Sequence, residues 1–147
     1  MTFVEGLINN EFFKVAFIAW FIAQFFKVIL TLLIEKKLDI GRFWGSGGMP
    51  SSHTSSVVGV STAIGLVNGF GSAMYALSLV FAFVVMYDAS GVRRAVGKQA
   101  AILNNMIHDL SEHKHIEQEQ LKELIGHTPF EVIGGAILGI IVANIYL

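Results

Sequence analysis

Apolar positions along this 147-residue chain gather into four long runs separated by polar or glycine-rich connections. The first extends from about Phe12 to Ile34 and is interrupted only by Lys14, Gln24 and Lys27. The second, about Ser51 to Val67, alternates Ser, Thr, Gly and Ala with Val and Ile, a composition that lets helix backbones approach closely. The third covers Ala73–Val92, with Asp88 near its end, and the fourth covers Pro129–Leu147. Each approaches the roughly 20 apolar residues that a helix needs to cross a bilayer. The pattern predicts an all-α, polytopic membrane bundle of four transmembrane helices in a single domain spanning 1–147. Asn68–Ser72 reads as a tight turn, and Glu35–Met49 starts charged and ends glycine-rich. Arg93–Gly126 is the one long polar segment. Within it Ile102, Leu103, Met106, Ile107 and Leu110 recur at helical spacing and predict an amphipathic helix.

Composition supports the membrane reading and removes other classes. Hydrophobic residues are 54% and charged residues 14% of the chain, against roughly 25% charged in an ordinary soluble domain. Mean hydropathy is +0.64, which excludes a disordered chain. With no cysteine there is neither a disulfide framework nor a thiolate metal site. A net charge of −1 argues against a nucleic-acid partner. Met1–Asn10 has no basic segment, so no cleaved leader is expected. Four alternating spans put loops 35–49 and 93–126 on one face, and those loops carry eight of the ten Lys and Arg residues. The positive-inside rule then places both loops in the cytoplasm of a multi-pass cell-membrane protein.

The residues with chemical potential lie at that face. Gly47-Gly48-Met49-Pro50-Ser51-Ser52-His53-Thr54 opens the second run, and Gly126-His127-Thr128-Pro129-Phe130-Glu131 opens the fourth. Tyr87-Asp88-Ala89-Ser90-Gly91-Val92-Arg93-Arg94 ends the third, with Lys98 beyond it, while Lys27 approaches from the first run with Gln24 one turn away. Helix N-termini favour anions, Arg presents a fork matched to phosphate, and His suits proton transfer or nucleophilic attack near neutral pH. Together they predict a phosphate site. Plainer roles compete for each element. Pro50 with its serines is a good helix start, and Thr128-x-x-Glu131 fits a capping box. Arg93 and Arg94 suit interfacial anchors, and Asp88 can pair with either of them. Lys27, a charge inside a span, costs about 2.5–3.5 kcal/mol on the lenient insertion scale and is harder to assign to structure alone. His108, His113 and His115 read as a solvated helix face.

These runs resemble the type 2 phosphatidic acid phosphatase superfamily, which includes the vanadium haloperoxidases. More closely, GGMPSSHT, MYDASGVRR-x-x-GKQA-x-x-LN and LKELIGHTPFEV-x-x-G resemble its small "divergent" bacterial and plant branch, from Gln24 to Gly139. The superfamily's P-S-G-H motif matches Pro50-Ser51-Ser52-His53, with Ser52 for Gly, which implies that His53 is the general acid. Its H-x-x-x-D motif matches His127-x-x-x-Glu131, implying that His127 is the nucleophile and that Glu131 orients its ring. The Ser-Arg pair expected six residues before the nucleophile is absent, since that position is Leu121; Arg93 or Arg94 is the substitute. The first motif, Lys seven residues before Arg-Pro, is also absent, because Arg42 is followed by Phe43 and preceded seven back by Glu35. Lys27 takes its place, with Lys36, Lys37 or Arg42 as fallback.

The resemblance implies a metal- and cofactor-independent phosphatase acting on a lipid phosphate or an isoprenoid (di)phosphate through a phosphohistidine. Ser51, Ser52, Lys27, Arg93, Arg94 and Lys98 would bind the phosphate, with Gln24 and Asp88 in support. Larger relatives have six spans and this chain matches the last four, so a homodimer is expected. The alternative is a non-catalytic lipid-phosphate-binding or assembly protein that keeps the anion pocket. A transporter fits less well, because the polar groups cluster at one face rather than at the bilayer midplane.

Overall fold

The computed structural model describes residues 2–36, 40–44, 48–111 and 126–147, and among them there are helices and no strand. The order is α1 (Phe3–Asn9), α2 (Glu11–Glu35), a 3₁₀ turn (Ile40–Phe43), α3 (Ser52–Asn68), α4 (Ala73–Ser90), α5 (Val92–Ser111) and α6 (Pro129–Tyr146). Side-chain oxygens begin five of these helices. Asn10, Ser51 and Ser72 each accept the backbone N–H three residues on, while Thr2 and Thr128 form capping boxes with Glu5 and Glu131. Two helices stop in backbone conformations that L side chains rarely adopt: Lys36 follows α2 with φ 53°, and Gly69 follows α3 with φ 87°. Helix α1 was not expected; its apolar residues are too few to register as a run. The third run also ends earlier than Val92. Gly91 closes α4 by donating its N–H to the Tyr87 carbonyl, and Val92 belongs to α5.

Three stretches are long and apolar enough to cross a membrane: Glu11–Ile34, the α4–α5 run Ala73–Ile107, and Pro129–Tyr146. Helix α3, at 17 residues and rich in Ser, Thr and Gly, is not one of them. It is instead the helix that the others surround, packing on α2, α4 and α6. Its small side chains permit that position. A Cβ on Gly135 would lie 2.5 Å from the Ser51 carbonyl oxygen, and one on Gly139 would lie 2.5 Å from that of Ser55. No side chain fits there, so α6 meets α3 backbone to backbone. Hydroxyls join the neighbouring helices: Ser56 Oγ donates to the Ala16 carbonyl at 3.0 Å, and Ser61 and Ser78 Oγ atoms lie 3.1 Å apart.

The interior is correspondingly small. Val15, Ala19, Ala63, Val142 and Ala143 form the buried core, while Phe, Leu and Ile side chains such as Phe83, Leu77, Phe130 and Ile145 face outward. A soluble protein would bury those large groups. Here the outward apolar surface suits a lipid solvent, in which close packing of small residues holds helices together.

The connection after α2 doubles back along that helix. The Phe43 ring lies 5.8 Å from Trp20 and 5.7 Å from Phe21, and Trp44 lies 6.5 Å from Trp20. Phe21 precedes Glu35 by about 21 Å of helix at 1.5 Å per residue. The chain therefore returns toward the middle of α2 before α3 starts. This brings Ser52 level with Lys27, about 12 Å short of the end of α2.

Candidate functional site

The start of α3 and the start of α6 lie side by side. Ser51 N–H donates to the Glu131 carbonyl at 3.0 Å, and the missing side chain of Gly135 admits the Ser51 backbone one turn further on. Residues 51–54 and 127–131, far apart in the chain, thereby become one surface with two helix N-termini. His53 and His127 meet there, their ring centroids 6.3 Å apart and their planes inclined at 61°. Both rings are within reach of one phosphoryl-sized group.

His127 is 2% exposed and is held from two directions. Its N–H donates to the Ala89 carbonyl at 3.0 Å, tying the turn before α6 to the end of α4. Its Nδ1 lies 3.1 Å from Glu131 Oε2. The same carboxylate oxygen accepts Thr128 N–H at 2.9 Å, and Glu131 N–H donates to Thr128 Oγ1 at 3.4 Å. The capping box and the His–carboxylate pair are thus one structure: the helix start fixes the carboxylate, and the carboxylate fixes the ring. A carboxylate at Nδ1 favours the proton on that nitrogen and leaves the lone pair on Nε2. His53 sits in the first turn of α3 with its side chain exposed.

Lys27 is 3% exposed, and its Nζ donates to Ser52 Oγ at 3.1 Å. Gly48, with φ +85°, passes over the lysine stem, where a Cβ would lie 3.7 Å from Cγ. The hydroxyl that departs from the P-S-G-H pattern is therefore the group that holds the lysine. Ser51 Oγ caps α3, accepting Thr54 N–H at 3.4 Å and Thr54 Oγ1–H at 3.0 Å, and Ser55 Oγ donates to the Ser51 carbonyl at 2.9 Å. Gln24 is 4% exposed, and its Oε1 has no hydrogen-bond partner among the described residues.

The remaining residues singled out by the sequence divide. Asp88 is half-buried, next to the Ala89 whose carbonyl anchors His127. Arg93 and Arg94 lie in the first turn of α5, four and five residues beyond Ala89, and their side chains fall outside the described residues, as does that of Arg42. Lys98 is exposed on α5 and makes no described contact with the histidines. His113, His115, Lys37, Leu121 and Gly47 also lie outside the described residues, as does the His108 side chain. Among the described residues no three His, Asp or Glu side chains gather as a metal site would require. What is gathered is a cradle whose groups suit an anion: two helix N-termini, a buried ammonium, and a carboxylate-held imidazole beside a second one.

Sequence reasoning missed three parts of this cradle. The Ser52–Lys27 bond depends on the register between α2 and α3, which spacing does not reveal. The Ala89 carbonyl is a backbone group with no side-chain signal. Gly135-x-x-x-Gly139 did carry a signal, since two glycines four apart in an apolar run mark a close helix crossing.

Among curated proteins, the "Uncharacterized membrane protein YuiD" of Bacillus subtilis (strain 168) is 39% identical over 130 residues, covering 81% of this chain and 82% of its own length. No solved structure matches. The chain is a membrane protein, in keeping with its three apolar helices and with that relative. A family model described as "Divergent PAP2 family" matches residues 8–142, and with these motifs and this cradle the chain belongs to the divergent PAP2 family.

Proposed function

We propose that this protein is a metal-independent membrane phosphatase that removes phosphate from a lipid or isoprenoid phosphate or diphosphate. One observation carries the reading: the buried His127 is held through Nδ1 by Glu131 at 3.1 Å and lies 6.3 Å, ring to ring, from His53. In the first step His127 Nε2 attacks phosphorus and the bond to the leaving oxygen breaks, with His53 donating the proton that oxygen needs. In the second, His53 takes a proton from water, the oxygen attacks phosphorus, the P–N bond breaks and phosphate departs. The Lys27 ammonium and the N-termini of α3 and α6 offset charge on the equatorial oxygens, the main protein contribution to phosphoryl transfer. Arg93 and Arg94, entering α5 beside the His127 anchor, are assigned the same task.

In this reading α3 is a fourth span, short because it starts below the end of α2, and α5 lies at the interface with its stripe of Ile102, Leu103 and Met106 against lipid. The lysine- and arginine-rich connections support a cytoplasmic side for the site. Homodimerisation would cover the helices that lack the two extra spans of larger relatives.

Purified protein in detergent is expected to release phosphate from a lipid phosphate in the presence of EDTA. His127→Ala should reduce release to background, and His53→Ala should reduce it by about 10²–10⁴-fold. Full activity in His127→Ala would overturn the reading. Vanadate binding without any phosphate release would instead support a non-catalytic lipid-phosphate binder.

A further inference from the structure

Gln24 carries a buried acceptor, Oε1, with no hydrogen-bond partner among the described residues. The residue is 4% exposed and shares the inward face of α2 with Ala23 and Lys27, while Phe25 and Phe26 are exposed. Residues three apart on a helix are surface neighbours, and a long helical side chain leans back over the turn before it. Lys27 therefore lies over the turn that carries Gln24. Helix α3 runs antiparallel to this stretch: a Cβ on Gly59 would lie 3.4 Å from Val15 and 3.5 Å from Ala19, whereas Ser52, seven residues earlier, meets Lys27. Seven residues are about 10 Å of helix, which brings the Ser52 hydroxyl and the N-terminus of α3 to within a turn of Gln24. The amide thus stands on the α2 side of the cradle, beside the buried ammonium.

Its neighbours call for the opposite kind of partner. The Lys27 ammonium and the N-termini of α3 and α6 are donors, suited to the oxygens of an anion. The Glu131 carboxylate is engaged by His127 and Thr128. A carboxamide oxygen can only accept, so a tetrahedral anion satisfies it only where one of the anion's oxygens carries a proton. Orthophosphate has such an oxygen throughout the neutral range, and a phosphate monoester has one as its monoanion. Sulfate matches the shape and charge of the phosphate dianion but carries no proton, so with sulfate in the cradle Oε1 would stay unpaired. An unpaired buried acceptor is the mismatch by which a polar site rejects a close analogue most strongly.

We propose that Gln24 contacts the bound anion: Oε1 accepts a hydrogen bond from a protonated phosphate oxygen, so that the cradle selects a tetrahedral anion bearing P–OH over one of equal charge without it. The inference rests on the phosphatase reading for its anion site, but it is tested by binding, without turnover. Purified protein in detergent at about pH 8 is titrated with sodium phosphate, sulfate or monofluorophosphate at matched ionic strength, and the rise in unfolding temperature gives each affinity. All three anions are then mainly dianions, and only phosphate keeps a proton. Wild type should bind phosphate at least tenfold more tightly than sulfate or monofluorophosphate. Gln24→Met, which fills similar space without the acceptor, should reduce that ratio to less than threefold, whereas a merely structural role would leave the ratio unmoved. Equal affinities in wild type, an unchanged ratio in Gln24→Met, or no saturable binding of phosphate overturns the proposal. An equal loss of all three anions in Gln24→Met overturns it as well, since the amide would then be turning its NH2 group to the anion. Release of phosphate from a lipid phosphate, followed in parallel, separates the two claims. Release without discrimination removes the role of Gln24 and keeps the phosphatase, whereas discrimination without release keeps the role and removes hydrolysis.

Discussion

Ser52 shows how one residue can depart from a superfamily motif and still serve the site. Its hydroxyl takes the hydrogen bond of a lysine that is 3% exposed, and a buried ammonium needs such a partner. Ser52→Ala removes the acceptor and leaves the cap of α3 at Ser51 untouched. It is expected to raise KM for the lipid phosphate about tenfold, with the folded fraction unchanged by size exclusion. Gln24 is the converse case, a buried amide whose Oε1 is unsatisfied among the described residues. An orphaned buried acceptor costs about 1–3 kcal/mol, so Gln24→Met should leave thermal stability in detergent equal or higher. A clear loss of stability would mean that the amide supports the fold. The identities of His53, His127 and Glu131 were legible as chemistry, and their roles came from the family resemblance. The Ser52–Lys27 pairing was not legible, because a hydrogen bond between residues 25 apart depends on how two helices register.

Among the elements, four of the helices were legible to within a few residues, whereas α1 was not and α5 begins earlier than its apolar spacing marked. Runs expected at 12–34, 51–67, 73–92 and 129–147 became α2 over Glu11–Glu35, α3 over Ser52–Asn68, α4 over Ala73–Ser90 and α6 over Pro129–Tyr146. An apolar solvent requires each backbone to satisfy its own hydrogen bonds, so a long apolar run has little choice but to be helical. The caps Ser51 and Thr128 marked two of the starts. The return of Phe43 and Trp44 to Trp20 was not legible, since aromatic packing between a short turn and a distant helical face leaves no periodic trace. Nor did apolar length reveal α3 as the central helix. That position follows from small residues meeting the glycines of α6. Gly139→Val places a side chain where even a Cβ would lie 2.5 Å from the Ser55 carbonyl oxygen and 2.8 Å from Gly59 N. Such overpacking costs about 1–3 kcal/mol or more, so the variant should unfold at lower temperature and lose the site with it. Gly71→Ala, with open space around it, is the matched control and should change neither.

Across the whole molecule, four long-separated segments converge. The turn before α6 hangs on the end of α4 through Ala89, α3 rests on α6 through Ser51 and Gly135, and α2 brings Lys27 to α3. The cluster lies about 12 Å short of the end of α2. In the proposed function, a lipid phosphate would meet this cluster with its phosphate while its tail stayed in an apolar environment. The central claim is that His127 itself accepts the phosphoryl group. Protein carrying His53→Ala, in which proton transfer in both steps is slowed, is incubated with phosphorus-labelled lipid phosphate and quenched in alkali, where phosphohistidine survives. Label should remain on the protein at His127 and vanish when His127→Ala is added to the same variant. Label that persists without His127, or phosphate release with His127 absent, would contradict the account.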